Sequence, residues 1–185
     1  MKLIAIALVL CVGAWYFLIG GRQLDEGMVR DYYQKEAHAV SERDAERLCA
    51  RLSRDVVIES KFTMAGRSKE ATRNRDEACE AQREGFKMFQ LVGERLGGVL
   101  TVAYDYHLDS IVVAPDRRSA TVQGTSELKM GDTAIQYRTV FTQRLEREFW
   151  QMRLVHAQES IVVRLGGAGA LNQGSPDNPG DLFRK

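Results

Sequence analysis

The sequence predicts an α+β fold: three N-terminal helices packed on a curved, mainly antiparallel sheet, preceded by one transmembrane helix. Three observations carry this. Apolar residues recur at helical spacing between Asp25 and Leu96. After Leu100 the chain changes to long β-rich segments separated by turn residues. Ahead of both, Leu3 to Gly20 contains no charged side chain.

The anchor comes first. As a helix, Leu3 to Gly20 rises about 27 Å, close to the ~30 Å hydrocarbon core of a bilayer. Lys2 and Arg22 flank the run, and Trp15 and Tyr16 suit an interfacial belt. Val12-Gly13-Ala14 loosely fits a signal-peptidase site, so a secreted or periplasmic product cleaved there is the competing reading. Cleavage would leave an apolar stub, Trp15 to Ile19, on the mature chain. The amino terminus and Lys2 outweigh Arg22, which favours a cytoplasmic N-terminus. The expected location is therefore a bacterial inner membrane, single-pass, with the body in the periplasm.

The body follows. Val29, Tyr32, Tyr33, Ala37 and Val40 mark a first helix from about Asp25. Ser41 and Asp44 resemble a capping box for a short second helix with Ala45, Leu48, Cys49 and Leu52 on its inner stripe. Val56-Val57-Ile58 begins a strand toward Met64, which Gly66 ends. Asn74 and Glu77 cap a third helix through Ala78, Phe86, Phe89, Val92 and Leu96, stopped at Gly97-Gly98.

Four strands complete it: Leu100–Val113, Ser119–Met130, Thr133–Glu146 and Phe149–Val163. They are separated by turn signals at Ala114-Pro115-Asp116 and Gly131-Asp132 and by a short turn before Phe149. From Gly166 to Lys185 the chain holds five of its 16 glycines and two of its three prolines, and reads as a disordered tail. The expected division is thus 1–22, 23–165 and 166–185.

Length and composition agree. A chain of 185 residues suits one domain plus an anchor and a tail. With 44% hydrophobic and 28% charged residues, it is neither a disordered chain nor a polytopic membrane protein. Lys+Arg 26 against Asp+Glu 25 leaves no basic excess, so no nucleic acid partner is expected.

The runs VRDYYQKEAHAVSERDAERLCARLSRDVVIES and RDEACEAQREGFKMFQLVGERL, followed by the long meander to Val163, resemble nuclear-transport-factor-2-like domains. SnoaL-like and ketosteroid-isomerase-like proteins share that fold. The resemblance covers about Val29 to Val163 and is architectural. It implies a cone-shaped body, a cystatin-like roll with a cavity between helices and sheet. Some members use that cavity for isomerase, dehydratase or cyclase chemistry, others for packing or partner binding.

Strand parity nominates the cavity lining: Tyr104 and Tyr106, joined by Ser126, Tyr137, Phe141, Trp150, Leu154 and His156. A histidine among tyrosine hydroxyls has the makings of a general base with oxyanion donors, but the same set also makes an ordinary core. Steroid-isomerising relatives place an acid in the cavity. Here Asp105 and Asp109 take the opposite parity unless a β-bulge intervenes. No catalytic residue is therefore assigned. His38, His107 and His156 are widely separated, with no HExxH or CxxC spacing, so no metal is expected. No phosphate loop or nucleophile elbow is present, and no cofactor is implied.

Cys49 and Cys79 lie on helices that this fold packs together. They are either a disulfide, favoured in an oxidising compartment, or two buried thiols. The outer sheet face, with Gln136, Arg138, Thr142, Arg144, Gln151 and Arg153, is a solvated surface or a homodimer interface of the kind this superfamily uses. The function expected is a membrane-anchored binding or scaffold domain. The alternatives are an isomerase, dehydratase or cyclase on a small apolar ligand, and a subunit of an envelope secretion assembly. An acid entering the cavity favours the enzyme; a closed apolar cavity favours the scaffold.

Overall fold

The structure is a computed structural model that describes residue 13 and residues 23–95, 102–130 and 135–165. Its elements run α1 (Glu26–Ser41), α2 (Ala45–Cys49), β1 (Leu52–Met64), β2 (Arg67–Arg73), α3 (Arg75–Arg95), β3 (Val102–Val113), β4 (Ser119–Met130), β5 (Ile135–Glu148) and β6 (Gln151–Leu165). The expected transmembrane helix and C-terminal tail lie outside the described residues, apart from Gly13. Among the described residues no helix is long and apolar enough to cross a membrane.

The six strands form one curved sheet in the order β2-β1-β6-β5-β4-β3. β3 to β6 pair as an antiparallel meander, and β1 joins β6 in parallel. β1 reaches that position because α3 and the whole meander lie between it and its partner, long enough for a crossover. β2 is a difference from the sequence reading. Its residues RSKEATR are polar and largely exposed, because β2 is an edge strand paired only to β1, so it has no buried face to produce alternation.

Capping also differs. α1 runs through Ser41, whose hydroxyl donates back to the His38 carbonyl at 2.8 Å. Arg43 then adopts φ 58°, and Asp44 becomes the cap of α2, accepting from the Arg47 amide at 2.9 Å. α3 opens as the sequence suggests: Asn74 and Glu77 exchange reciprocal backbone bonds at 3.0 Å.

The core lies between α1 and the inner sheet face. Leu24, Val29, Tyr33, Val56, Val122 and Leu145 are almost completely buried. Each large apolar side chain so buried contributes roughly 1.5–3 kcal/mol. Gly124 sits where β4 passes closest to its neighbours. A Cβ there would meet the His107 carbonyl oxygen at 2.5 Å and the Phe141 ring at 2.8 Å. Cys49 on α2 and Cys79 on α3 are joined by a disulfide, with Cα atoms 5.3 Å apart.

Candidate functional site

The site follows from one irregularity in β6. Leu154 pairs with Leu145 and His156 pairs with Arg144, so Val155 has no partner on β5. Such a bulge reverses inward and outward residues beyond it. Leu154 points inward, and so do Ala157 and Glu159, three and five residues on.

Two sequence expectations are corrected by this geometry. His156 lies on the outer face, its side chain 41% exposed and Nε2 3.8 Å from Glu59 Oε1. Trp150 is not in a strand: it sits in the β5–β6 turn, 46% exposed, with the Arg147 guanidinium 5.9 Å from its ring centre. The parity count for both ran through the turn and the bulge without a break.

The remaining candidates share the inner face. Across β3, β4 and β5, Tyr104, Leu128 and Tyr137 form one row, and Tyr106, Ser126 and Thr139 the next. Phe141 is buried opposite Gly124. Its ring stacks 5.7 Å from that of Tyr33, which lies 5.9 Å from Tyr106. Leu154 lines the cavity described below. Asp105 and Asp109 are exposed; β3 has its own bulge at Asp109, between Leu108 and Ser110, without bringing that acid inside.

Between α1, α2, α3 and the inner faces of β1 and β6 lies a cavity of about 410 Å³. Its polar lining was not anticipated: Glu36, Arg51, Arg73, Gln143 and Glu159, beside Ile58, Phe62 and Leu154. Glu36 is brought in by α1, on the stripe of Val29, Tyr32, Tyr33 and Val40. An acid at that helical spacing was the available signal. Glu159 carried no such signal, since unbroken alternation from Leu154 puts it outside.

Hydrogen bonds link Glu159 to Tyr33 through Gln143. The Tyr33 hydroxyl donates to Gln143 Oε1 at 2.7 Å, and Gln143 Nε2 donates to Glu159 at 3.4 Å. Ser60 Oγ is 3.5 Å from the other Glu159 oxygen. Tyr104 lies within electrostatic reach of Glu36 and pairs across the strands with Leu128.

Burial pushes the Glu36 carboxyl up to about 7; the Arg51 charge opposes this and the Glu159 charge adds to it. Burial likewise raises Glu159, against hydrogen bonds from Gln143 and Ser60 and the charge of Arg73. Burial also raises Tyr33 and Tyr104, which stay protonated as donors. Chemically, this is an acid poised between its two forms near neutral pH beside preorganised hydroxyl donors. Among the described residues, no group of three or more His, Cys, Asp or Glu side chains is placed to hold a metal.

No family model and no curated protein matches the chain. Solved structures do. A nuclear-transport-factor-2-like protein of unknown function from Shewanella oneidensis MR-1 is 14% identical, covering 71% of this chain and 95% of its own, with a TM-score of 0.53. Another from Pseudomonas putida KT2440 is 16% identical, covering 73% and 84%, with a TM-score of 0.51. A putative scytalone dehydratase from Novosphingobium aromaticivorans is 10% identical, covering 80% and 93%, with a TM-score of 0.52. At these identities the likeness shows the fold: the domain has the nuclear-transport-factor-2-like architecture.

Proposed function

We propose that this domain is an acid–base enzyme of the isomerase or dehydratase type, acting on a small molecule held in the Glu36–Glu159 cavity. The observation that carries the proposal is the entry of two carboxyl groups into a cavity also lined by the Gln143 amide, which accepts from the Tyr33 hydroxyl. A purely scaffolding domain has no use for a partly buried acid pair, which costs stability unless it serves something else. In the proposed reaction the Glu36 carboxylate removes a proton from carbon next to a carbonyl. Tyr104, whose hydroxyl acts on the Glu36 carboxyl, is the donor assigned in this proposal to the developing enolate oxygen. Return of the proton elsewhere on the substrate gives isomerisation. Loss of a β-hydroxyl, protonated to leave as water, gives dehydration. The fold shared with a putative dehydratase supports this at the level of architecture.

The location belongs to the same proposal. Leu3 to Gly20 anchors the domain in a bacterial inner membrane, and the domain works in the periplasm. The Cys49–Cys79 disulfide supports an oxidising compartment.

The test is deuterium exchange by the full-length protein with a panel of enolisable and β-hydroxy ketones. Exchange should fall about a hundred-fold or more in Glu36→Gln and persist in His156→Phe. No exchange with any ketone, or full exchange in Glu36→Gln, overturns the proposal.

A further inference from the structure

The same cavity contains two cations, whose charges act on Glu36 and Glu159 but which form no ion pair with either acid. Arg73 ends β2 opposite Ile58, on the inner face. Its guanidinium lies 5.3 Å from the Phe62 ring centre and, among the described residues, makes no hydrogen bond or ion pair. Arg51 enters from the loop after α2. Its guanidinium carbon lies 3.6 Å from the centre of the buried Tyr32 ring, it donates to the Tyr32 carbonyl, and its Nε–H is buried without a partner. A partly buried guanidinium with unmet donors is costly unless something accepts from it. Both line the cavity with Glu36 and Glu159, and neither forms an ion pair with them.

We infer that the cavity's ligand carries a carboxylate, held by Arg73 with Arg51 behind it, so that its reactive carbon lies toward Glu36. A carboxylate is planar and singly charged, and it matches the fork of a guanidinium. The apolar side chains Ile58, Phe62 and Leu154 take the hydrocarbon portion. Charge balance agrees. The ionisable groups facing the space are Arg51, Arg73, Glu36 and Glu159, with Tyr32, Tyr33 and Tyr104 behind them. Burial opposes the charge of both acids and keeps all three tyrosines protonated, whereas both guanidiniums stay charged, which favours an anionic ligand. The inference rests on the proposed enzymatic reading and adds the class of substrate to it.

Calorimetric titration of the full-length protein tests it, with cinnamate and 3-benzoylpropionate as probes, each against its primary amide. The carboxylates should bind about ten-fold tighter than the amides or better, as a charge-assisted pair requires. Arg73→Gln should remove that preference while leaving amide affinity unchanged, and Arg138→Gln on the outer face should alter neither. Equal affinity for acid and amide, or a preference that survives Arg73→Gln, overturns the carboxylate assignment. The enzymatic reading then still stands if Glu36→Gln and Glu159→Gln weaken both probe classes. Absence of binding by every probe overturns both.

Discussion

Glu36 shows how one residue couples stability to the site. Its carboxyl is raised from an ordinary 4.5 to about 7, with burial as the first cause. Between those values the folded chain binds more protons than the unfolded chain, so this group lowers stability as pH rises through the window. Above about 7 the loss is complete, at most about 3 kcal/mol for a shift of this size. Glu159, raised by burial as well, acts in the same direction. Exposed Glu46 and half-buried Glu127 are instead held low, first by hydrogen bonds from Arg83 and Lys129. They add stability that is lost only as pH falls below about 4.5. The melting temperature should therefore decline from pH 5 to pH 8, and Glu36→Gln, which mimics the neutral acid, should flatten that decline. A parallel decline in the variant and the parent would assign the effect to other groups. Legibility at this scale was mixed. The inner rows of Tyr104, Tyr106, Ser126 and Phe141 follow directly from alternation, because β3 to β5 keep one register there. His156 and Glu159 exchanged faces because a bulge is a backbone event that no side-chain pattern announces.

At the scale of elements, the cavity depends on how α2 and α3 are held against the sheet. α3 begins with a satisfied cap but leaves Met88 and Leu91 57% and 50% exposed, so its C-terminal half buries little. The Cys49–Cys79 disulfide ties its first turns to α2, across a sequence separation of 30. Closing a loop of that length contributes about 3–4 kcal/mol in the chain-entropy model. The double variant Cys49→Ser, Cys79→Ser should melt several degrees lower and bind cavity ligands more weakly, since Leu48 and Ala78 beside the cysteines line the cavity. Thiol labelling of the denatured parent without reductant should modify neither cysteine. Labelling of both would remove the bridge from the account. Helices and the meander were readable because each buries one face at a fixed period. β2 was not, because an edge strand of Arg, Ser, Lys, Glu, Ala and Thr has neither a buried face nor a turn signal beyond Gly66.

For the whole molecule, the proposed export of the domain rests on the disulfide and the N-terminal segment together. A disulfide between two buried cysteines persists where thiols are not kept reduced. An apolar run such as Leu3 to Gly20 is the segment that would take the domain there. As a helix its 18 residues would measure about 27 Å, against a hydrocarbon core of ~30 Å, as the proposed anchor requires. In the proposed anchor Trp15 and Tyr16 would fall at the interface, and Asp25 caps α1 shortly afterwards, accepting from the Met28 amide at 2.9 Å. With the proposed anchor ending at Gly20, the domain should stay close to the bilayer surface. This suits a ligand with an apolar body and a carboxylate, which concentrates at such a surface. The full-length protein should remain in the membrane fraction through high-salt and alkaline washes. In inside-out vesicles the domain should resist added protease, while spheroplasts should expose it. A product released in soluble form with Trp15 at its amino terminus would show that the segment is a cleaved signal, leaving the cavity chemistry intact but detaching it from the membrane.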